Sequence, residues 1–412
     1  MSDYSKVRIS GDRLWQRLMD MAKIGATDAG GCNRQALTDL DKEGRDLFID
    51  WCHAAGCKVR IDQMGNVFAR RAGLDNSLPP VITGSHLDTQ PTGGKFDGVY
   101  GVLAGLEVIE SLNDNKLQTK HPLEVVVWTN EEGARFSPAM IGSGVWCGEF
   151  DIEDAHVLAD KDGLTIGDEL KRIGYHGAEP CKIFPVKAAF ETHIEQGPIL
   201  EAEEKTIGIV TGVQGMRWYD VMIKGQPVHA GPTPMEVRRD PFRALTKTID
   251  RIYALAEEHG PWGRATFGDI QAVPGARNTV PETLILAVDL RHPNQEVLEQ
   301  MDKTFRIIVE EEALIAGVES TVKDEWDSPA VAFDKDCIEA VTKGVKSLNL
   351  PYKVMASGAG HDSVYVSRSA PTSMIFIPCK DGISHNEAED AHPDDLTAGC
   401  NVLLQAMCEM AN

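Results

Sequence analysis

What most constrains the fold is a rhythm of short runs that are apolar throughout, alternating with longer runs that are apolar on one helical face. "PPVITGSH" (79–86), "LEVVVWTNEEG" (123–133) and "AAFETHIEQG" (188–197) read as strands, and "GVLAGLEVIESLND" (101–114) between the first two reads as a helix. Upstream, "RDLFIDWCHAAG" (45–56) carries helical spacing and "GNVFARRAG" (65–73) reads as a strand. Strands apolar on both sides are buried on both sides, so the pattern predicts an α/β fold: a mixed sheet covered by helices on both faces.

The rhythm breaks near Gly212 and Gly215. From there the order becomes strand (218–224), helix (239–258, with Phe242, Leu245, Ile249 and Ile252 on one face), strand (265–273), strand (283–291), helix (295–316) and strand (318–326). That is a βαββαβ unit of ferredoxin-like size. After Pro329 a two-sided apolar strand returns in "PTSMIFIPC" (371–379), and the chain closes on a helix, "DLTAGCNVLLQAMCEMA" (395–411). The expected organisation is a catalytic, metal-binding domain in two parts, 1–213 and 328–412, with an inserted module at 214–327. No internal repeat or low-complexity segment interrupts it.

Composition removes several function classes. A formal net charge of −22 repels nucleic-acid phosphates and anionic lipid, and no basic run offsets it. Neither a nucleic acid nor a membrane is an expected partner. No apolar run approaches the roughly 18 residues of a membrane span, and the start, "MSDYSKVRISGDRLWQRLMDMAK", lacks the order of a signal peptide, so the expected compartment is the cytoplasm. The nine cysteines include no C-x-x-C, which argues against a zinc knuckle, a redox pair or a disulfide framework.

The chemistry gathers at strand ends. In "VITGSHLDTQPTGGKFDGVYG" (81–101), a buried strand ends at His86 and Asp88, and a glycine-rich loop then carries Asp97. Other strand ends deliver Glu131 and Glu132, His193, and, in "CKDGISHNEAED" (379–390), His385. Open α/β sheets place their sites where such loops meet. Imidazole and carboxylate together suit two divalent ions, zinc first, with manganese, nickel or cobalt also suited. Asp97 is the expected bridge, with His86 and His193 on one ion and Glu132 and His385 on the other. Glu131 then remains as a general base, and the Asp88 carboxylate is expected to accept the second ring N–H of His86. "SGAGHDSV" (357–364) reads as a substrate-facing loop that offers backbone N–H groups, Gly360 among them. A G-x-S-x-G elbow, a phosphate loop and a dinucleotide fingerprint are all missing.

With those residues in place, the chain resembles the hydantoinase/carbamoylase family of metal-dependent amidohydrolases, within the co-catalytic zinc peptidase superfamily. The blocks that carry the likeness are "GSHLDTQPTGGKFDGVYGV", "TNEEGARF", "ETHIEQGPILE", "HAGPTPM", "PGARNTVP", "DLRHP" and "GAGHDS". The resemblance implies the same five metal ligands and Glu131 as base, an inserted module acting as lid and homodimer interface, and a histidine, His229, that stabilises the oxyanion in a partner's site. It also implies Gln196, Arg217 and Asn278 as substrate contacts. Arg291 is the expected partner of a substrate carboxylate, because a guanidinium pairs with carboxylate through two bonds. The expected reaction is hydrolysis of a small ureido acid, an N-carbamoyl amino acid or N-carbamoyl-β-alanine, to amino acid, carbon dioxide and ammonia. Allantoate is the alternative substrate. An aminoacylase or dipeptidase, and a non-catalytic metal-binding protein on the same scaffold, are the remaining readings.

Overall fold

The structure, a computed structural model, describes residues 4–412; residues 1–3, which open the segment read above for a signal peptide, lie outside it. The chain divides into two compact units, one holding the residues up to Gly212 together with Ala332–Asn412, the other Val213–Val331.

Six strands begin before the division: β1 (Lys58–Ile61), β2 (Val67–Arg71), β3 (Val81–His86), β4 (Leu123–Trp128), β5 (Ala188–Ile194) and β6 (Ile207–Val213). The second unit contributes β7 (Gly215–Lys224), β8 (Arg264–Val273), β9 (Thr283–His292) and β10 (Glu319–Ser328), and then follow β11 (Val331–Ala332), β12 (Tyr352–Ser357) and β13 (Thr372–Ile377). The larger sheet runs β1-β2-β4-β3-β5-β13-β6-β11, with β12 also on β6. Its centre is parallel, β4 with β3, β3 with β5 and β5 with β13, while β2 and β6 join antiparallel. The four central strands therefore end at one edge, which is where the motifs lie.

Alternate side chains of these strands feed two cores. Val67, Val81, Val125 and Val127 pack with the helices Val99–Asp114 and Pro393–Ala411, whereas Phe68, Ile82, Val126 and Trp128 pack with Trp146 on the other side. Burial of this kind stabilises by about 25 cal/mol per Å² of apolar surface. The helix Val99–Asp114 lies very close to the sheet through Gly101, where a Cβ would sit 2.5 Å from the Thr192 carbonyl oxygen and 2.9 Å from Ser85 Cβ. That contact sets the helix, and the Asp97 loop before it, against the ends of β3 and β5.

In the second unit β10-β7-β9-β8 form an antiparallel sheet. Strand β9 alternates buried and half-buried residues, and its Leu284, Leu286, Val288 and Leu290 meet Leu245 and Ile252 of the helix Pro241–Glu258 and Phe305 of the helix Gln295–Ala316. Both helices start at side-chain caps: Asp240 accepts from Phe242 N–H, and Asn294 from Glu296 and Val297 N–H. Strand order and connections give the ferredoxin-like βαββαβ unit. The sequence pattern misses β1, β6, β11 and β12. Strands β1 and β12 are mixed in exposure, β11 has two residues, and β6 ("IGIVTGV") carries Gly208 and also Gly212, the first glycine of the apparent break.

Candidate metal centre

His86 is the last residue of β3 and lies opposite Trp128, the last of β4; His193, next to last in β5, lies opposite Phe376 of β13. Both imidazoles are buried, at 2% and 1% exposure. Their Nδ1 atoms sit on backbone carbonyls, His86 on that of Asp88 at 2.8 Å and His193 on that of Ile194 at 2.9 Å. A carbonyl can only accept, so these contacts assign the proton to Nδ1 and turn Nε2 towards the centre.

Asp97 lies between two groups of donors. Its Oδ1 is 3.1 Å from His193 Nε2 and 3.6 Å from His86 Nε2, while its Oδ2 is 3.5 Å from His385 Nε2. Glu132 Oε2 is 3.3 Å from the same His385 nitrogen. The groups His86, Asp97, His193 and Asp97, Glu132, His385 each converge tightly enough to hold an ion and share only the Asp97 carboxylate. Burial raises the Asp97 carboxyl, but the His193 bond and the three imidazoles outweigh it and bring it below the ordinary carboxylate range. Burial lowers His193, and its contact with Asp97 reverses this, pushing it up to about 9. The place between them strongly favours positive charge. Imidazole and carboxylate donors with locked orientation, arranged about one shared acid, fit a pair of divalent ions.

Glu131 and Glu132 follow Asn130, whose backbone is left-handed (φ 57°), and precede Gly133 (φ 65°). The chain thereby leaves strand geometry, and adjacent side chains no longer point to opposite faces. Glu132 Oε1 and Oε2 accept from the backbone N–H and the side-chain Nε2 of Gln90, at 3.1 and 2.8 Å. Glu131 Oε2 is 3.3 Å from His86 Nε2. Burial, followed by the charges of Asp362, Glu132, Asp97 and Asp88, holds the Glu131 carboxyl well above its ordinary value.

Asp88 differs from expectation. Its carboxylate is 4.0 Å from His86 Nδ1, and its own backbone carbonyl orients that ring. The carboxylate instead accepts the N–H of Glu131 at 3.3 Å and of Glu132 at 3.2 Å. The chain turns after β3, bringing its carbonyl rather than its side chain onto the imidazole.

Gln196, also left-handed (φ 57°), donates to Asp97 Oδ2 at 2.9 Å and to Ser384 Oγ at 3.2 Å; its Oε1 is buried without a protein hydrogen bond. Gly360 is half-buried, and a Cβ there would lie 3.2 Å from Met140 Cε. The other expected contacts belong to the second unit. Arg217 pairs with Asp302 (3.1 Å) and Asp327 (3.2 Å), and Arg291 Nη2 with Asp289 (2.7 Å), so both guanidinium groups already face acids. His229 is exposed, bridges to Thr279, and accepts from Gly231 N–H at 3.1 Å. Asn278 is exposed, and its backbone carbonyl accepts from Ala230 N–H.

Three residues at the centre are not assigned a role from the sequence, although His361 lies in the "SGAGHDSV" loop. Glu389, 2% exposed, accepts from the backbone of Phe96 and Asp97, and burial, then Asp97, push its carboxyl up to about 7. His361 packs edge-on against His193 with ring centroids 4.6 Å apart, and its Nε2 is 3.0 Å from Ser357 Oγ. Glu191 forms a third donor group with His193 and His361, yet both its oxygens take serine protons, Oε1 from Ser85 and Oε2 from Ser363. It therefore reads as a support beneath His193.

A model described as peptidase family M20/M25/M40 matches residues 82–409. An N-carbamoyl-L-amino-acid amidohydrolase of Rhizobium meliloti is 45% identical over 404 residues, covering 98% of this chain and 97% of that protein. An allantoate amidohydrolase of Escherichia coli strain K12 is 33% identical over 398 residues, covering 95% and 96%. The crystal structure of an amidase of the hydantoinase/carbamoylase family from Burkholderia multivorans is 54% identical, with a TM-score of 0.95 and 98% of each chain covered.

Proposed function

The chain belongs to peptidase family M20/M25/M40 and within it to the hydantoinase/carbamoylase amidohydrolases, and we propose that it removes the carbamoyl group of N-carbamoyl-L-amino acids. Membership makes it a metal-dependent hydrolase of C–N bonds; the substrate is our reading. One observation carries the catalytic part, an acid shared between two donor groups with a further carboxylate, Glu131, 3.3 Å from His86 Nε2, while the substrate is supported by the likeness to the Rhizobium meliloti enzyme. Binding an ion alone needs no such additional acid.

We assign His86 and His193 to one ion, Glu132 and His385 to the other, and Asp97 to both. When bound, such a pair lowers the pKa of water and polarises a carbonyl oxygen. Glu131 takes one proton from the attacking water, whose oxygen joins the ureido carbonyl carbon. Glu131 then delivers that proton to the amino-acid nitrogen as its bond to the carbon breaks. The carbamate left behind splits into carbon dioxide and ammonia. Asp88 fixes the backbone from which Glu131 works. The buried, unpartnered Oε1 of Gln196 supports a role in accepting a ureido N–H, and the Gly360 backbone N–H another polar contact.

From the second unit we assign Arg291 to the substrate carboxylate, Arg217 and Asn278 to further contacts, and His229 to the oxyanion. That unit is also our proposed lid and homodimer surface; its edge strand β8 exposes Ile270 and Val273, which supports the latter. Among the described residues no helix is long and apolar enough to cross a membrane. We place the enzyme in the cytoplasm with zinc as the first candidate metal.

Ammonia release separates the readings. N-carbamoyl-L-α-amino acids, N-carbamoyl-β-alanine and allantoate are each supplied to metal-loaded enzyme, with and without chelator. Turnover is expected to be chelator-sensitive and fastest on an N-carbamoyl-L-α-amino acid. Preference for allantoate, which the Escherichia coli relative's name supports, would replace it.

A further inference from the structure

Among the described residues Glu389 forms no ion pair, although it is 2% exposed. A buried carboxylate is costly unless hydrogen bonds compensate it, so its partners show its use. Oε1 accepts the successive backbone N–H groups of Phe96 (2.9 Å) and Asp97 (3.1 Å), and Oε2 lies 3.2 Å from Ser384 Oγ. Ser384 in turn donates to Asp97 Oδ2 at 2.8 Å, and it is the residue before His385. One carboxylate thus holds the peptide that carries the shared acid and lies against the hydroxyl on that acid's second oxygen, whose single proton serves one of the two acids at a time. Its place is reserved by Gly94, where a Cβ would lie 2.1 Å from Glu389 Oε1.

We propose that Glu389 is a positioning residue for the metal pair: by fixing the Phe96–Asp97 peptide and Ser384 it makes Asp97 present one oxygen to each donor group. This rests on the two-ion reading above. Asp97 Oδ1 needs only to meet two rigid, buried imidazoles, whereas Oδ2 faces the exposed His385, so the ion on His385 and Glu132 depends more on Glu389. Without it the peptide loses both of those hydrogen bonds, and only the bonds from Gln196 and Ser384 are left to direct the second oxygen.

The test is metal binding, independent of turnover. Metal-free wild type, Glu389→Ala, Glu389→Gln and Ser384→Ala are titrated with Mn2+, and electron paramagnetic resonance reports coupling between neighbouring ions. Wild type is expected to take two ions and show the coupled signal. Glu389→Ala is expected to weaken the second ion by about 10- to 100-fold, the usual cost of losing a residue that orients a ligand, and to lose the coupling. Glu389→Gln keeps an acceptor oxygen for the two N–H groups and should recover most of the affinity, which separates orientation from a general loss of packing. Affinity in Glu389→Ala within twofold of wild type overturns the proposal. If Glu389→Ala does not fold, Ser384→Ala decides, and an unchanged second ion there overturns it. A wild type that binds no ion overturns instead the two-ion reading on which it rests.

Discussion

Replacing Asp88 with asparagine tests the turn that presents Glu131 and Glu132. In the folded chain the Asp88 carboxylate, 1% exposed, accepts both backbone N–H groups, at 3.3 and 3.2 Å. Asparagine offers one acceptor oxygen, and its NH2 must face the other N–H, leaving a buried donor against a donor. One hydrogen bond to a charged acceptor is worth about 1.5–3 kcal/mol, and a stranded N–H costs about 1–3 kcal/mol in overlapping measure, so about 2–3 kcal/mol is a fair total. Local opening of residues 130–133 should then be easier by about 30- to 150-fold, since every 1.4 kcal/mol is tenfold. Hydrogen exchange followed by mass spectrometry on the peptide spanning Glu131 and Glu132 reads this directly. The segment around His86 should be much less affected, because the Asp88 carbonyl, which the substitution keeps, holds that ring. Equal exchange in the two proteins at residues 130–133, or a change confined to the His86 segment, would show that the Asp88 carboxylate does not hold this turn.

Glu131→Gln keeps the shape of the side chain and the Asp88 bonds to the backbone; it should retain metal and lower kcat by about 100- to 10,000-fold, and activity above a tenth of wild type would refute the base assignment. Gly98 is left-handed (φ 66°), and a Cβ there would lie 2.4 Å from His86 Cε1 and Nε2, so Gly98→Ala should displace the ring and lose bound metal, measured by elemental analysis. Arg291→Lys keeps the charge but loses two-bond pairing with a carboxylate; KM for an N-carbamoyl amino acid should rise about tenfold with kcat changed less, and an unchanged KM removes Arg291 from the carboxylate role.

Much of the architecture was legible because burial writes itself into sequence. Strands β3, β4, β5 and β13 are buried at every position, and the alternation in β9 announces a sheet with one covered face. That the strand-end residues would lie together followed from parallel strands ending at one edge. What they touch did not follow. Whether Asp88 meets His86 through its carbonyl or its carboxylate depends on one turn after β3, and both atoms belong to the same residue. Glu389 sits in "NEAED", an acidic run that reads as a solvated loop, and its partners are nearly three hundred residues earlier in the chain. Its only local signal is its place four residues after His385. The acids facing Arg217 and Arg291 were in plain view, but Asp302 and Asp327 reach Arg217 only once the antiparallel strands and the helix Gln295–Ala316 have packed.

The proposed mechanism needs one carboxylate shared between two ions, and metal content set against the state of Asp97 measures that sharing. Protein loaded with zinc or manganese should contain two ions per chain, with anomalous scattering placing one beside His86 and His193 and the other beside Glu132 and His385. Asp97→Ala should fold yet lose the pair and chelator-sensitive turnover together. Full metal occupancy in Asp97→Ala, or turnover that survives complete removal of metal from wild type, would contradict it.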